Sequence, residues 1–342
     1  MNEKFGTLPD GQDVARLTLR GDGLTARILT LGAIVQDLRL DGVPHPLVLG
    51  AATLTPYLGP MGYFGAIVGR YANRIAKGRF TLDGQSFALP RNSDARHCLH
   101  GGPEGSARKL WTVADLTDRQ AVLTLRLEDG DMGFPGRLDV VATITVQEAA
   151  LHFDIRAQTD RATPCSFAQH SYFTLDDSGT IAQHQLRLAA ESYLPVDADK
   201  IPTGEIAPVA GTTFDYRSPR ALAGAVLDHN FCLGQERAEL RPVAWLSSAA
   251  SGLQMELATT EPGLQVYTAG HLPNAGVVGH DGQPYARFAG VALEAQAWPD
   301  APNRPHFPSA ILRPDQTYHQ MTRLRFFPAD RLSGQDKDPL RS

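Results

Sequence analysis

Val122-Leu123-Thr124-Leu125-Arg126-Leu127 sets Leu123, Leu125 and Leu127 on one side of the chain and Val122, Thr124 and Arg126 on the other. A period of two is that of a β-strand with one buried face. The pattern returns at Val140, Ala142, Ile144 and Val146, at Leu151, Phe153 and Ile155, and at Leu253, Met255 and Leu257. Asp-Gly pairs at 10–11, 22–23, 41–42, 83–84, 129–130 and 281–282 punctuate these runs, and this dipeptide suits two-residue hairpin turns. No window carries a long amphipathic helix. The periodicity therefore predicts an all-β fold, a large antiparallel β-sandwich; a propeller should show a blade-length repeat, and none is present.

With 342 residues, 42% of them hydrophobic, the chain can bury a sizeable core. Its 32 Gly and 24 Pro are spread without a composition shift, so residues 1–342 read as a single domain. A net charge of −5 gives no electrostatic case for nucleic acid or an anionic membrane as partner. Cys98, Cys165 and Cys232 are odd in number and widely spaced, which fits a reducing compartment. Met1 to Val14 has no apolar leader-like core, and no run approaches the roughly 18 apolar residues that span a bilayer. A cytoplasmic protein, monomer or homodimer, is expected.

Four segments carry candidate chemistry. In Leu293-Glu294-Ala295-Gln296-Ala297-Trp298-Pro299-Asp300-Ala301-Pro302-Asn303, a carboxylate closes the uncharged run Gly290 to Leu293, which otherwise reads as a buried strand. A buried unpaired carboxylate is costly, so Glu294 reads as a working base or as half of an edge-strand salt bridge. Gly69-Arg70-Tyr71-Ala72-Asn73-Arg74-Ile75 leads through the hairpin 78–89 to Leu99-His100-Gly101-Gly102, which should bring Arg74 and His100 to one end. Arg74 offers a fan of donors, and the two glycines would let backbone approach a ligand; an ion pair and a core histidine are the plainer readings. His170, in Gln169-His170-Ser171-Tyr172-Phe173-Thr174, could hold its proton near neutral pH if a carboxylate lay close, or could be a core histidine. Asp228, between Leu227 and His229-Asn230-Phe231, could accept hydrogen bonds from sugar hydroxyls or cap a turn.

Cofactor chemistry finds no support. His97 and His100 form an H-x-x-H pair, but an offset of three on an extended backbone points them to opposite faces with no further ligands at a familiar spacing, so no metal is expected. Neither nucleotide-binding glycine motif stands in a strand-to-helix context, and no G-x-S-x-G elbow is present.

Together these segments resemble the aldose 1-epimerase family, the galactose mutarotases. The resemblance runs through Gly69-Arg70, Asn73-Arg74-Ile75, Leu99-His100-Gly101-Gly102, Gly133-Phe134-Pro135-Gly136, His170-Ser171-Tyr172-Phe173, Pro202-Thr203-Gly204-Glu205, Asp228 to Phe231, Glu261-Pro262-Gly263 with Gln265, Tyr267 and Thr268, and the Glu294 to Asn303 loop. It implies an antiparallel β-sandwich whose open cleft binds a free pyranose, with Glu294 as general base, His170 as general acid, and no metal or nucleotide cofactor. It further implies that Arg74 and His100 steady oxygens near the anomeric centre and that Asp228 binds a hydroxyl. Tyr172, Phe173 or Trp298 would offer an apolar ring to the sugar face. Gln169 and Thr174, where the family commonly has Asn, and Ala297-Trp298, where His-Phe is more usual, are departures that would bear on substrate preference. Three other readings remain: a non-catalytic sugar-binding sandwich; a hexose-phosphate 1-epimerase using Arg74 with Arg70; and a hydrolase or lyase with Asp228 as second carboxylate.

Overall fold

In a computed structural model, which describes residues 2–270, 272 and 276–328, the alternating segments all become strands. The segment quoted first is the end of the strand Gln120–Leu127, with Ala121, Leu123, Leu125 and Leu127 buried and the intervening residues more open. It pairs in unbroken antiparallel register with Leu138–Gln147, which in turn pairs with Ala150–Thr159. These three belong to a nine-stranded sheet continued by Tyr318–Pro328, Leu253–Thr259, Arg241–Ser248 and His184–Leu188. A six-stranded sheet, ordered Tyr172–Phe173, Val291–Gln296, Gly263–Tyr267, Asp228–Cys232, Ser192–Tyr193 and Ala207–Pro208, forms the second layer. One buried cluster joins Leu123, Val140, Ile144, Phe153 and Met255 of the large sheet to Phe231, Leu264, Val266, Leu293 and Ala295 of the smaller. A four-stranded sheet spans residues 2–40. Thr55–Leu58 is the only α-helix among the described residues, and no helix there is long and apolar enough to cross a membrane.

The turns only partly follow the Asp-Gly signal. Asp22-Gly23 and Asp83-Gly84 each place both residues at positive φ and close two-residue hairpins. Asp41-Gly42 and Asp129-Gly130 open longer loops instead. Glu148-Ala149, with φ of 56° and 54°, makes a tight turn of the same kind without any glycine.

Arg70 explains two motifs at once. Its guanidinium is buried and donates to the carbonyls of Pro135 (3.0 Å), Gly136 (2.6 Å), Leu127 (3.3 Å) and Glu128 (3.2 Å), and to Thr163 Oγ1 (3.3 Å). Gly133-Phe134-Pro135-Gly136 is thus the loop that receives Arg70, with the Phe134 ring beside the guanidinium. Each carbonyl left unmet in such a place costs about 1–3 kcal/mol, so Arg70→Met should lower the unfolding free energy by at least about 2 kcal/mol. Urea unfolding with an unchanged slope would register the loss; a midpoint equal to that of the wild type would show that the carbonyls find other partners.

Candidate active site

The strand Val291–Gln296 is buried along its whole length, and alternation assigns its residues to two surroundings. Val291, Leu293 and Ala295 enter the core between the sheets. Ala292, Glu294 and Gln296 therefore face the other side of the six-stranded sheet. Register continues this second face across the neighbours: Glu294 lies opposite Gln265, which lies opposite Asn230, while Ala292 lies between Tyr172 and Tyr267, with Asp228 beyond. Glu294 is thus a mid-strand residue rather than the end of one, and its face is polar where the opposite face is apolar. Gly263 is required here because a Cβ would come within 2.5 Å of Asn230 Oδ1 and 2.9 Å of Trp298 Cδ1.

A cleft of about 200 Å³ opens over this face, lined by Tyr63, Asn73, Arg74, Leu99, His100, His170, Tyr172, Asp228, Tyr267 and Glu294. All six residues singled out from the sequence line it. Arg74 and His100 converge as expected, through the short antiparallel pairing of Arg74–Ile75 with Cys98–Leu99. The backbone of Arg74 is held from both sides, its N–H by Asn73 Oδ1 at 2.8 Å and its carbonyl by Asp300 N–H at 2.9 Å. Asp300 also accepts from Ala76 N–H and Asn303 Nδ2, so the loop after Glu294 serves to staple the Arg74 strand.

Asn73 and His100 are both left-handed, at φ of 62° and 51°, and they face one another. Asn73 N–H donates to His100 Nδ1 at 3.2 Å, and His100 N–H donates to the Asn73 carbonyl at 3.0 Å. With Nδ1 occupied as an acceptor, neutral His100 must carry its hydrogen on Nε2. Protonation would set two N–H groups against each other, and burial together with the His170 and Arg74 charges holds the pKa of His100 well below the usual histidine range. His100 is therefore a fixed, uncharged donor. Gly101 does not approach a ligand: its left-handed backbone lies so near Gly69 that a Cβ would be 2.1 Å from that carbonyl.

His170 Nε2 lies 3.6 Å from Glu294 Oε2, and both side chains are buried. That gap is too long for a direct hydrogen bond. Burial pushes Glu294 up to about 8, with Asp228 adding to the rise and Arg74 opposing it. Burial pushes His170 down to about 4, against a smaller upward pull from Asp228. The carboxylate expected near His170 is present, yet desolvation opposes both charges, raising Glu294 and lowering His170, so that the uncharged forms are favoured in the sugar-free cleft. Asp228 is held by Gln265 Nε2 at 2.7 Å.

Several expectations give way. Phe173 belongs to the inter-sheet core, and Trp298 is fully buried, donating from Nε1 to the Pro262 carbonyl. Of the three proposed rings only Tyr172 reaches the cleft, where Tyr63 and Tyr267 join it. Gln169 braces the turn around His170 through Gly65 O and the Ser171 hydroxyl and backbone, and Thr174 bonds the Asp176 carbonyl. With Trp298, these departures lie outside the cleft lining. Tyr267 was within reach of register reasoning from Gln265, whereas Tyr63 sits in an irregular segment that offers no periodicity.

His100, His170 and Glu294 bring ligand-type atoms within 4.8 Å of one another, a set that the His97–His100 spacing did not anticipate. A metal needs a lone pair from each. His100 has none to give, since Nδ1 holds the Asn73 N–H and Nε2 bears the hydrogen, so the set does not fit a metal.

The sequence pattern described as aldose 1-epimerase matches residues 15–325. Curated relatives include galactose mutarotase of Mus musculus, 42% identical across 94% of this chain and 97% of its own, and aldose 1-epimerase of Escherichia coli K12, 35% identical across 95% and 99%. Among solved structures, an aldose epimerase homologue from C. elegans superposes with a TM-score of 0.86 at 29% identity, covering 92% of this chain and 99% of its own. A galactose 1-epimerase from Lactobacillus acidophilus gives 0.83 at 27%, covering 96% and 98%.

The tautomer of His100 is directly observable. Nitrogen NMR should show an unprotonated Nδ1, a protonated Nε2 and no titration between pH 5 and 8; a titration near 6.5 would refute the pinning.

Proposed function

This chain belongs to the aldose 1-epimerase family and interconverts the anomers of an aldose, and we propose that Glu294 and His170 carry the two proton transfers. The observation that supports these roles is the buried pair at 3.6 Å, the donor and acceptor that ring opening needs, in a cleft otherwise furnished with hydroxyl-binding groups. On binding, the anomeric hydroxyl donates to Glu294 and the ring oxygen approaches His170. Those contacts favour the proton's transfer from Glu294 to His170. Glu294 then takes the anomeric proton while His170 gives its own to the ring oxygen, and the bond from that oxygen to the anomeric carbon breaks. The product is an open aldehyde, a free hydroxyl, a protonated Glu294 and a neutral His170. After rotation about the adjacent carbon–carbon bond the same steps run backwards on the other face. A positioned acid and a positioned base are each worth typically about 10² to 10⁴ in rate.

His100 and Arg74 donate to the oxygens near the anomeric carbon, and Asp228 accepts from a ring hydroxyl. Galactose, which the names of the relatives print, is the first substrate we propose, with glucose as the second aldose to try. A phosphorylated sugar is disfavoured because Arg70 is buried and saturated by carbonyls, leaving Arg74 as the only basic side chain among the cleft residues apart from the histidines. The three free, buried cysteines favour the cytoplasm. One domain is the simplest reading, since the strand Tyr318–Pro328 pairs with both Ala150–Thr159 and Leu253–Thr259.

Polarimetry of freshly dissolved α-D-galactose tests the assignment. Wild type should accelerate the approach to equilibrium, and Glu294→Gln and His170→Asn should each lower kcat by at least about 100-fold with unchanged folding. Full activity in either variant would remove that residue from the chemistry.

A further inference from the structure

Tyr63 lies on the cleft wall, half-buried, with its ring centroid 4.8 Å from that of His100 and 6.4 Å from that of His170, nearly parallel to the latter. Its hydroxyl meets Asn92 Nδ2 at 3.2 Å. The orientation of the Asn92 amide is not a matter of choice. Asn92 Oδ1 accepts the Leu99 N–H at 2.8 Å while Nδ2 donates to the Leu99 carbonyl at 3.0 Å, and a flipped amide would lose both bonds. Asn92 is thus a donor toward Tyr63, so the phenolic oxygen is the acceptor in that contact. The hydrogen of the hydroxyl finds no acceptor among the described residues.

Burial pushes the Tyr63 phenol up, against a downward pull from Arg108, so it keeps its hydrogen at neutral pH. The remaining furniture of the cleft leaves it a distinct task. Glu294 and Asp228 accept from hydroxyls, and Arg74 and His100 donate near the reacting centre. Tyr63 adds an uncharged donor that takes no part in the proton exchange. From this arrangement we propose that the Tyr63 hydroxyl donates to one sugar oxygen and is a specificity-determining contact for the bound aldose, an inference that rests on the sugar occupying this cleft. Asn92 is its positioning residue: by holding both polar groups of Leu99 and occupying the phenolic oxygen, it turns the hydrogen of Tyr63 away from the protein.

The test is Tyr63→Phe, which keeps the ring against His100 and removes only the donor. For galactose, KM should rise about 3- to 10-fold, the scale of one neutral hydrogen bond, with kcat within about twofold. The same comparison is made across 2-, 3-, 4- and 6-deoxygalactose. For the one sugar that lacks the contacted oxygen, wild type and variant should have equal kcat/KM, while the others keep the loss. Equilibrium binding of the same sugars by calorimetry, read without turnover, separates this contact from the roles given to Glu294 and His170. Unchanged KM and affinity for galactose would overturn the proposal. An equal loss for all five sugars would assign Tyr63 to packing alone and overturn it as well.

Discussion

The arrangement depends on one constraint: two ionisable groups, His170 and Glu294, are placed 3.6 Å apart at buried positions in the cleft, where burial disfavours either charge. Burial drives the carboxyl up to about 8 and the imidazole down to about 4, so the pair holds one proton across the intervening range. The resting distribution, protonated Glu294 with neutral His170, is also the distribution that accompanies the open aldehyde in the proposed reaction. Roles of acid and base then describe a direction of proton flow, and the pair as a whole is the titrating unit.

In the proposed reaction that pair alone exchanges protons, and the geometry of the rest of the cleft is consistent with this. His100, though adjacent, is fixed as an uncharged donor by the Asn73 amide, and the left-handed backbone at both residues is the local cost of that fixing. Arg74 is held through its backbone by Asn73 and Asp300, with its donors free to meet oxygens. Beneath, Gly263 leaves room for Asn230 in the polar row Asn230, Gln265 and Glu294, whose opposite face is the inter-sheet core.

Much of this was legible in the chain. The alternation at Val122 to Leu127 and its recurrences gave the antiparallel sheets because each such strand has one buried face. Residue type and resemblance together named Glu294, His170, Arg74, His100, Asp228 and Tyr172, and all six line the cleft. Pattern failed where both faces are buried or where no pattern exists. Glu294 looked like a strand end because Val291 to Leu293 carry no charge, although Ala292 faces the cleft side. Trp298 looked like a sugar platform, yet its indole is committed to Pro262. Arg70 and Arg74 are near neighbours in sequence, and only the fold reveals that one is saturated by carbonyls while the other lines the cleft. Tyr63 lies in an irregular segment, and its place is set by contacts with His100 and Asn92 that are remote in sequence.

The most direct test of the one-proton pair is the pH dependence of kcat/KM for galactose mutarotation, which reports the ionisations of the free enzyme. Below about 4 both groups are protonated and the acceptor is lost; above about 8 the last proton leaves and the donor is lost. A plateau between limbs near those two values is expected, with the limb near 8 absent from the residual activity of Glu294→Gln, where His170 is the only group of the pair left to titrate. A profile that stays flat through pH 8 to 10, or one governed by a single limb near 6.5, would contradict a pair that shares one proton.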